Sequence, residues 1–540
     1  MGTEILTFYK EKLKKEWKLA FYSAFIIGLL VHIYKFTNIL LNWDALHNFY
    51  NSQNMVATGR WLLAVACGFS SRFDLPWING LLSLVYMGIA AAAVTEVFRM
   101  KNPCLILLSS GLLVSFPAVT ATMFYEYTAD GYMMAMALAA FSVVFSRMEY
   151  IGKSHWKMLV LSSACICLAC GIYQAYLSFA FVLAVCYFIM ELLENRREMK
   201  QYWKWIGAQC VIYIVALASY YLIWKLCLNL QGYATSTYQG ISDIGSMGAG
   251  SLPGVLVKIL VEFSLFFLEW NVFEDGITVY SGLNILFLAA FAIGIVGAVI
   301  KSGCLKRKVH LVLLILCLAA LPVGCYICYL TSPSVFYHTL MVQSICLLYI
   351  LTAVIYERWM KAGHGTLVLV LLTAIIFNNS VAANAGYTLM DQSMKRTEAA
   401  AAEISTRIHM LDDGTIRNVV IYGGLADWDE DAQHTAGELR ELGAWKSVDR
   451  SLMSPMFLSL FTDFELSYYS SQGLEYPLME FGPELPAPRD WEFRFPTLGL
   501  EEREILAQTP EVQNMPQWPH RDSVQVMGDT IVVKLSENEL

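Results

Sequence analysis

Eleven stretches of this 540-residue chain offer about 20 consecutive apolar residues or nearly so, the length an α-helix needs to cross a bilayer core. They fall at 19–41, 77–98, 103–123, 131–147, 157–171, 174–193, 206–228, 281–300, 309–330, 340–356 and 365–384. The region 157–193 is too long for one crossing. Gly171-Ile172-Tyr173-Gln174 supplies a polar break in its middle, which predicts two short helices there. The first stretch is too long for a signal peptide and shows no small-residue cleavage site, so it is expected to stay as a span. With 57 % hydrophobic and 15 % charged residues, the chain departs from the soluble norm of about 45–50 % and about 25 %, and neither an ordinary soluble core nor a disordered chain accounts for it.

Charge divides the chain in two. Residues 1–384 carry 25 Lys and Arg against 18 Asp and Glu, a net +7, whereas residues 385–540 carry 12 against 27, a net −15. A domain boundary is therefore expected near 384, between a membrane domain (1–384) and a C-terminal domain (385–540). Orientation follows from Lys and Arg in the loops. With the N-terminus inside, the inner segments hold 20 basic residues, while the outer loops before 384 hold only Arg60, Arg72 and Lys258. The N-terminus is thus expected to be cytoplasmic, and an odd number of spans puts 385–540 outside. The stretch 254–270 carries Lys258, Glu262 and Glu269, each costly at membrane depth, and is read as an amphipathic helix on the outer surface. In the tail, 391–411 reads as a helix, Asn418 to Tyr422 as a β-branched strand and Ile531 to Leu535 as a closing strand, a small α/β domain.

Chemistry is sought among the few polar groups at the outer ends of the spans. Asp44 follows the first span, where a carboxylate can take a proton from an incoming hydroxyl; a hydrated helix-end carboxylate is the structural alternative. Arg60, in Gly59-Arg60-Trp61, offers a guanidinium fork to a phosphate or a cation to lipid headgroups. Glu126 and Asp130, within Tyr125-Glu126-Tyr127-Thr128-Ala129-Asp130, either line a sugar site or belong to an aromatic belt in which Asp130 caps the next helix. His32, Lys35, Asn38 and Asn42 form a polar stripe on the first helix that should face the bundle or a wet cavity, and Lys225 lies near the outer end of the seventh span with snorkelling as its alternative. Cys165, Cys167 and Cys170 sit in an apolar run without a His partner and read as core residues. Asp427, Asp429, Glu430 and Asp431 read as a solvated acidic loop rather than a cation site. No metal site and no cofactor are expected.

Asp44, Gly59-Arg60-Trp61, the Tyr125-to-Asp130 segment, Gly171-Ile172-Tyr173-Gln174 and a tail opening on Ala385-Gly386-Tyr387 occur in that order. The tail closes with Met515-Pro516-Gln517-Trp518-Pro519 and Asp529 to Leu535. In this, and over nearly its whole length, the chain resembles the bacterial serotype-converting glucosyltransferases of the Gtr type. The resemblance implies an all-α polytopic GT-C fold that moves a hexose, glucose by family, from a polyprenyl-phosphate carrier to a hydroxyl of a cell-surface polysaccharide. It implies a bacterial inner or plasma membrane location and puts the acceptor-activating carboxylate on Asp44. It also matches Arg60, Glu126, Asp130, Tyr173 and Gln174 to the family pattern, with Glu126 and Asp130 expected beside Asp44 as catalytic carboxylates and Arg60, Tyr173 and Gln174 as donor-phosphate or substrate-binding residues. The expected partners are then the lipid-linked sugar, a polysaccharide or lipid-linked glycan acceptor and the bilayer, with no nucleic acid. The donor phosphate would meet Arg60, with Lys258, Lys225 and Lys35 as further cations. Two readings from other classes stay open: a multi-span transporter, and a glycan-binding envelope protein without catalysis.

Overall fold

The computed structural model describes residues 13–41, 53–70, 75–151, 155–236, 240–241, 252–268, 277–423, 466–467, 495–496 and 500–536. Its helices are α1 (Lys15–Thr37), α2 (Pro76–Val97), α3 (Pro103–Ser115), α4 (Pro117–Phe124), α5 (Glu126–Phe145), α6 (Trp156–Ile172), α7 (Tyr176–Glu194) and α8 (Met199–Gln231). They continue with α9 (Leu252–Leu268), α10 (Val279–Ser302), α11 (Lys308–Cys325), α12 (Cys346–Trp359), α13 (Ala362–Leu411), α14 (Leu500–Ala507) and α15 (Pro510–Gln513). The chain divides into two compact units. One takes the described residues up to Thr37, those from 53 to 70 and those from Leu75 to Asn384; the other takes Asn38–Leu41 and the described residues from Ala385 onward.

Among the described residues, eight helices are long and apolar enough to cross a membrane, or nine if α3 and α4, bent by 41°, count as one broken span. Each of the eleven expected stretches holds a helix. α6, with 17 residues, and α12, with 14, nevertheless fall short of the roughly 20 a crossing needs. The stretch expected from 340 opens instead with 3-10 turns at Thr339–Met341 and Gln343–Ile345. There the Gln343 amide donates to the Leu113 carbonyl at 3.2 Å. That bond has a clear origin. Pro117 breaks the helix between α3 and α4 and has no N–H to give the preceding turn, which leaves carbonyls to be satisfied from outside. His32 Nε2 serves the neighbouring Val114 carbonyl at 2.9 Å; since a carbonyl only accepts, that nitrogen carries the proton.

Within this first unit, α1 packs along α2, and α2 along α5. The α1–α2 contact depends on small residues: a Cβ on Gly80 would stand 2.2 Å from the Phe36 ring, and one on Gly88 would stand 2.7 Å from Phe21. α8 buries a single stripe, with Tyr202, Trp205, Ile212, Ala216, Tyr220, Trp224 and Leu228 inside, and turns Ile214, Leu222 and Leu230 outward, as a lipid-facing helix does. α9 buries Val255, Ile259 and Phe267 and packs against α10 and α11. At one end of the bundle Arg99 pairs with Glu149 at 2.9 Å and with Glu191 at 2.5 Å, and reaches Glu194 at 3.3 Å. Arg147 pairs with Glu96, Arg197 with Glu191, and Arg358 with Glu194. Burial alone would lower the Arg99 guanidinium, but the adjoining carboxylates, Glu191 foremost, hold it above its ordinary value.

The second unit is built on a three-stranded sheet of β1 (Asn418–Tyr422), β2 (Val524–Met527) and β3 (Thr530–Lys534), in spatial order β1-β3-β2. β1 runs parallel to β3, with Val420 opposite Val532, and β2 forms an antiparallel hairpin with β3 across Gly528. β-branched residues on β1 and β3 make these strands, and Val420, Tyr422 and Val532 pack with Val512 and Met515 into its core. Lys534 is fully buried, and its ammonium donates to the Val512 and Gln513 carbonyls at 3.1 and 2.8 Å. A separate pair of two-residue strands, Leu466–Ser467 and Phe495–Pro496, runs parallel. Asp427, Asp429, Glu430 and Asp431 lie outside the described residues.

Candidate active site

Two sequence motifs that stand far apart in the chain meet at the end of the bundle opposite the Arg99 cluster. Met55 to Arg60 fold into a tight turn closed by an antiparallel bridge, with Arg60 N–H donating to the Met55 carbonyl at 3.1 Å. Gly59 takes φ +82°, a left-handed conformation that favours glycine. The turn is then pinned from one helix and one helix junction. On α8, Trp224 Nε1 donates to the Val56 carbonyl at 2.7 Å and the Tyr220 hydroxyl to the Gly59 carbonyl at 3.1 Å. Between α6 and α7, Gln174 Nε2 donates to the Thr58 carbonyl at 2.8 Å and to the Tyr220 oxygen at 3.0 Å. Leu62 N–H donates to the Gly171 carbonyl at 2.8 Å, and the Trp61 ring lies so close over Gly171 that a Cβ there would stand 2.5 Å from it. Gly59-Arg60-Trp61 and Gly171-Ile172-Tyr173-Gln174 are thus two halves of one clamp.

The clamp holds the half-buried Arg60. Its guanidinium carbon lies 4.7 Å from the centre of the Tyr173 ring, and Nη1 donates to the Tyr132 hydroxyl at 3.2 Å. Tyr132 and Tyr173 stack on each other, centroids 4.4 Å apart and planes within 8°. His338, in the segment leading to α12, titrates below its ordinary range, first because it is buried and second because of the Arg60 positive charge.

The expected carboxylates take separate positions. The segment from Glu126 to Asp130 is not a loop, because α5 begins at Glu126; Asp130 therefore sits inside the helix instead of capping its start. Glu126 forms a buried ion pair with Lys35 of α1, which is what allows a carboxylate to open a membrane helix. Its second oxygen, Oε1, and the Oδ1 of neighbouring Asn79 have no hydrogen-bond partner among the described residues; Asn79 Nδ2 donates to the Glu126 carbonyl at 3.0 Å. Asp130 is fully buried and accepts from the Ser70 hydroxyl at 2.8 Å and the Gly131 N–H at 2.9 Å. Of the stripe on α1, His32 and Lys35 do face the bundle, while Asn42 and the base candidate Asp44 lie outside the described residues.

The two remaining cations sit on aromatic faces. Lys225 lies 5.2 Å from the Trp224 ring and 5.5 Å from Tyr221, and Lys258 stands 4.0 Å over Tyr329 while donating to the Pro333 carbonyl at 3.4 Å. Among the described residues, no three His, Cys, Asp or Glu side chains gather as a metal would require. Sequence reasoning missed Tyr132, Tyr220, Trp224, His338 and Asn79. The one signal available for the first was its place in α5, two residues beyond Asp130.

Residues 33–356, more than half of the chain, match the family described as Glucosyl transferase GtrII. The chain belongs to the GtrII glucosyl transferase family. No curated protein and no solved structure matches it. The GtrII match runs from inside α1 to inside α12, so the Arg60 turn, the α6–α7 junction, the Lys35–Glu126 pair and His338 all lie within it. α13 and the tail sheet lie beyond its end. Together with the apolar helices, membership makes this GtrII chain a multi-pass membrane glucosyltransferase.

Proposed function

We propose that this GtrII chain transfers glucose from a polyprenyl-phosphate carrier to a hydroxyl of a cell-surface polysaccharide at the outer face of a bacterial inner or plasma membrane. On this reading the N-terminus is cytoplasmic, residues 385–540 are extracytoplasmic, and the membrane domain has the GT-C arrangement. The supporting observation is the clamped Arg60, a fixed guanidinium among tyrosines on a membrane glucosyltransferase. A lipid-phosphate sugar carries its own leaving group. The protein then has to activate the acceptor, hold the departing phosphate and leave a path for the lipid.

In the proposed step the Asp44 carboxylate takes the proton of the acceptor hydroxyl as that oxygen bonds to the anomeric carbon. The bond from the anomeric carbon to the phosphate oxygen breaks, and polyprenyl phosphate leaves with the electron pair, its new charge met by Arg60. Lys258 and Lys225 are the further cations proposed for the phosphate, and Lys35 acts through its pair with Glu126. Glu126 Oε1 and Asn79 Oδ1 are acceptors suited to sugar hydroxyls, and Asp130 holds the Cys67-to-Ser70 turn through the Ser70 hydroxyl. No metal or cofactor takes part.

Family membership favours bond formation over transport or passive glycan binding. The test is transfer of labelled glucose from polyprenyl-phosphate glucose to isolated surface polysaccharide by the purified chain in proteoliposomes. Activity that survives EDTA and falls in Arg60→Ala is expected. Movement of the sugar across the membrane without incorporation would overturn the proposal.

A further inference from the structure

We infer that Tyr132 and Tyr173 are positioning residues that hold the Arg60 guanidinium in one orientation for the donor phosphate, an inference that rests on the proposed role of Arg60. An arginine that has to find its orientation when the ligand arrives loses rotamer freedom on binding, whereas one already held does not. Here the side chain is fixed from several directions. Its backbone is set by the turn that Trp224, Tyr220 and Gln174 pin, its Nη1 donates to the Tyr132 hydroxyl at 3.2 Å and to Met55 Sδ at 3.9 Å, and its guanidinium carbon lies 4.7 Å from the centre of the Tyr173 ring.

The two tyrosines are themselves immobilised. Both are buried, they stack at 4.4 Å, and Tyr176 meets the Tyr173 ring edge-on at 6.2 Å. Tyr132 is anchored in α5. Tyr173 takes extended backbone at the end of α6, its N–H bonded to the Ala169 carbonyl at 2.9 Å. Neither ring has to touch substrate to matter. By holding one end of the guanidinium and one face of it, Tyr132 and Tyr173 decide how its charge is aimed.

The experiment measures binding of polyprenyl phosphate to the purified full chain in detergent, together with kcat and KM for glucosyl transfer and the thermal midpoint. Tyr132→Phe keeps the stacked ring and removes the hydroxyl; it is expected to weaken polyprenyl-phosphate binding by about tenfold, the usual scale for a hydrogen bond to a charged group. Tyr173→Phe is expected to stay within about twofold of wild type, because the ring face survives, while Tyr173→Leu loses about fivefold. In an Arg60→Ala background, Tyr132→Phe should bring no further loss, since there is nothing left to orient. An unchanged thermal midpoint in Tyr132→Phe separates this from general unfolding. Equal losses from Tyr132→Phe with and without Arg60 would overturn the positioning inference and leave the role of Arg60 intact. Undiminished polyprenyl-phosphate binding by Arg60→Ala would overturn the role of Arg60 itself.

Discussion

Replacing Gly59 by alanine tests whether the turn that carries Arg60 has to hold its shape. Gly59 sits at φ +82°, where an L-residue costs roughly 1–2 kcal/mol. The new methyl would also stand 2.4 Å from the Tyr220 oxygen and 2.5 Å from Gln174 Nε2, closer than carbon approaches either atom, so both side chains must withdraw. With them go the Tyr220 bond to the Gly59 carbonyl and the Gln174 bond to the Thr58 carbonyl, each worth roughly 0.5–1.5 kcal/mol. The combined penalty of roughly 2–5 kcal/mol shifts the turn away from its clamped form by a factor of at least about 30. The assay is the initial rate of glucosyl transfer in proteoliposomes, and the expected loss is more than about tenfold. Gly207→Ala is the control: it lies on α8 with open space around the added methyl, and it should leave the rate unchanged. A Gly59→Ala protein with wild-type rate would refute the idea that the clamp supports the chemistry.

Asp44→Asn should lower transfer by about 100-fold or more while leaving polyprenyl-phosphate binding in place, as loss of a general base does; full transfer by this variant would move the base elsewhere. Glu191→Gln should lower the thermal midpoint, because the buried Glu191 serves both Arg99 and Arg197; discounted for the partial exposure of both arginines, the loss is roughly 1–3 kcal/mol, read by thermal unfolding in detergent. His338 titrates below its ordinary value, so its contribution to stability is full above about pH 6.5 and fades as the pH falls toward the lowered value. Thermal midpoints measured from neutral to mildly acidic pH should therefore drop less in His338→Gln than in wild type, and equal slopes would remove His338 as a contributor.

What could be read from sequence here follows from which physical constraint acts locally. Bilayer thickness acts on every run of about 20 residues, so apolar stretches announce their helices, and the β-branched run Asn418 to Tyr422 announces a strand. The start of α5 did not announce itself. A carboxylate at Glu126 reads as loop until Lys35, 91 residues earlier, is known to neutralise it inside the bundle. The same holds for the clamp. Gly59-Arg60-Trp61 and Gly171-Ile172-Tyr173-Gln174 are each visible as glycine-punctuated polar breaks, but the bond from Gln174 to Thr58 spans 116 residues and is made by folding alone. Tyr132, Tyr220 and Trp224 are harder still, because the chain has 29 tyrosines and 14 tryptophans, and an aromatic on an apolar helix carries no mark of whether it faces lipid, core or an arginine. In this chain the charges and glycines that interrupt the apolar runs mark where the site is. The aromatics that give Arg60 its orientation are recognised only by what they touch.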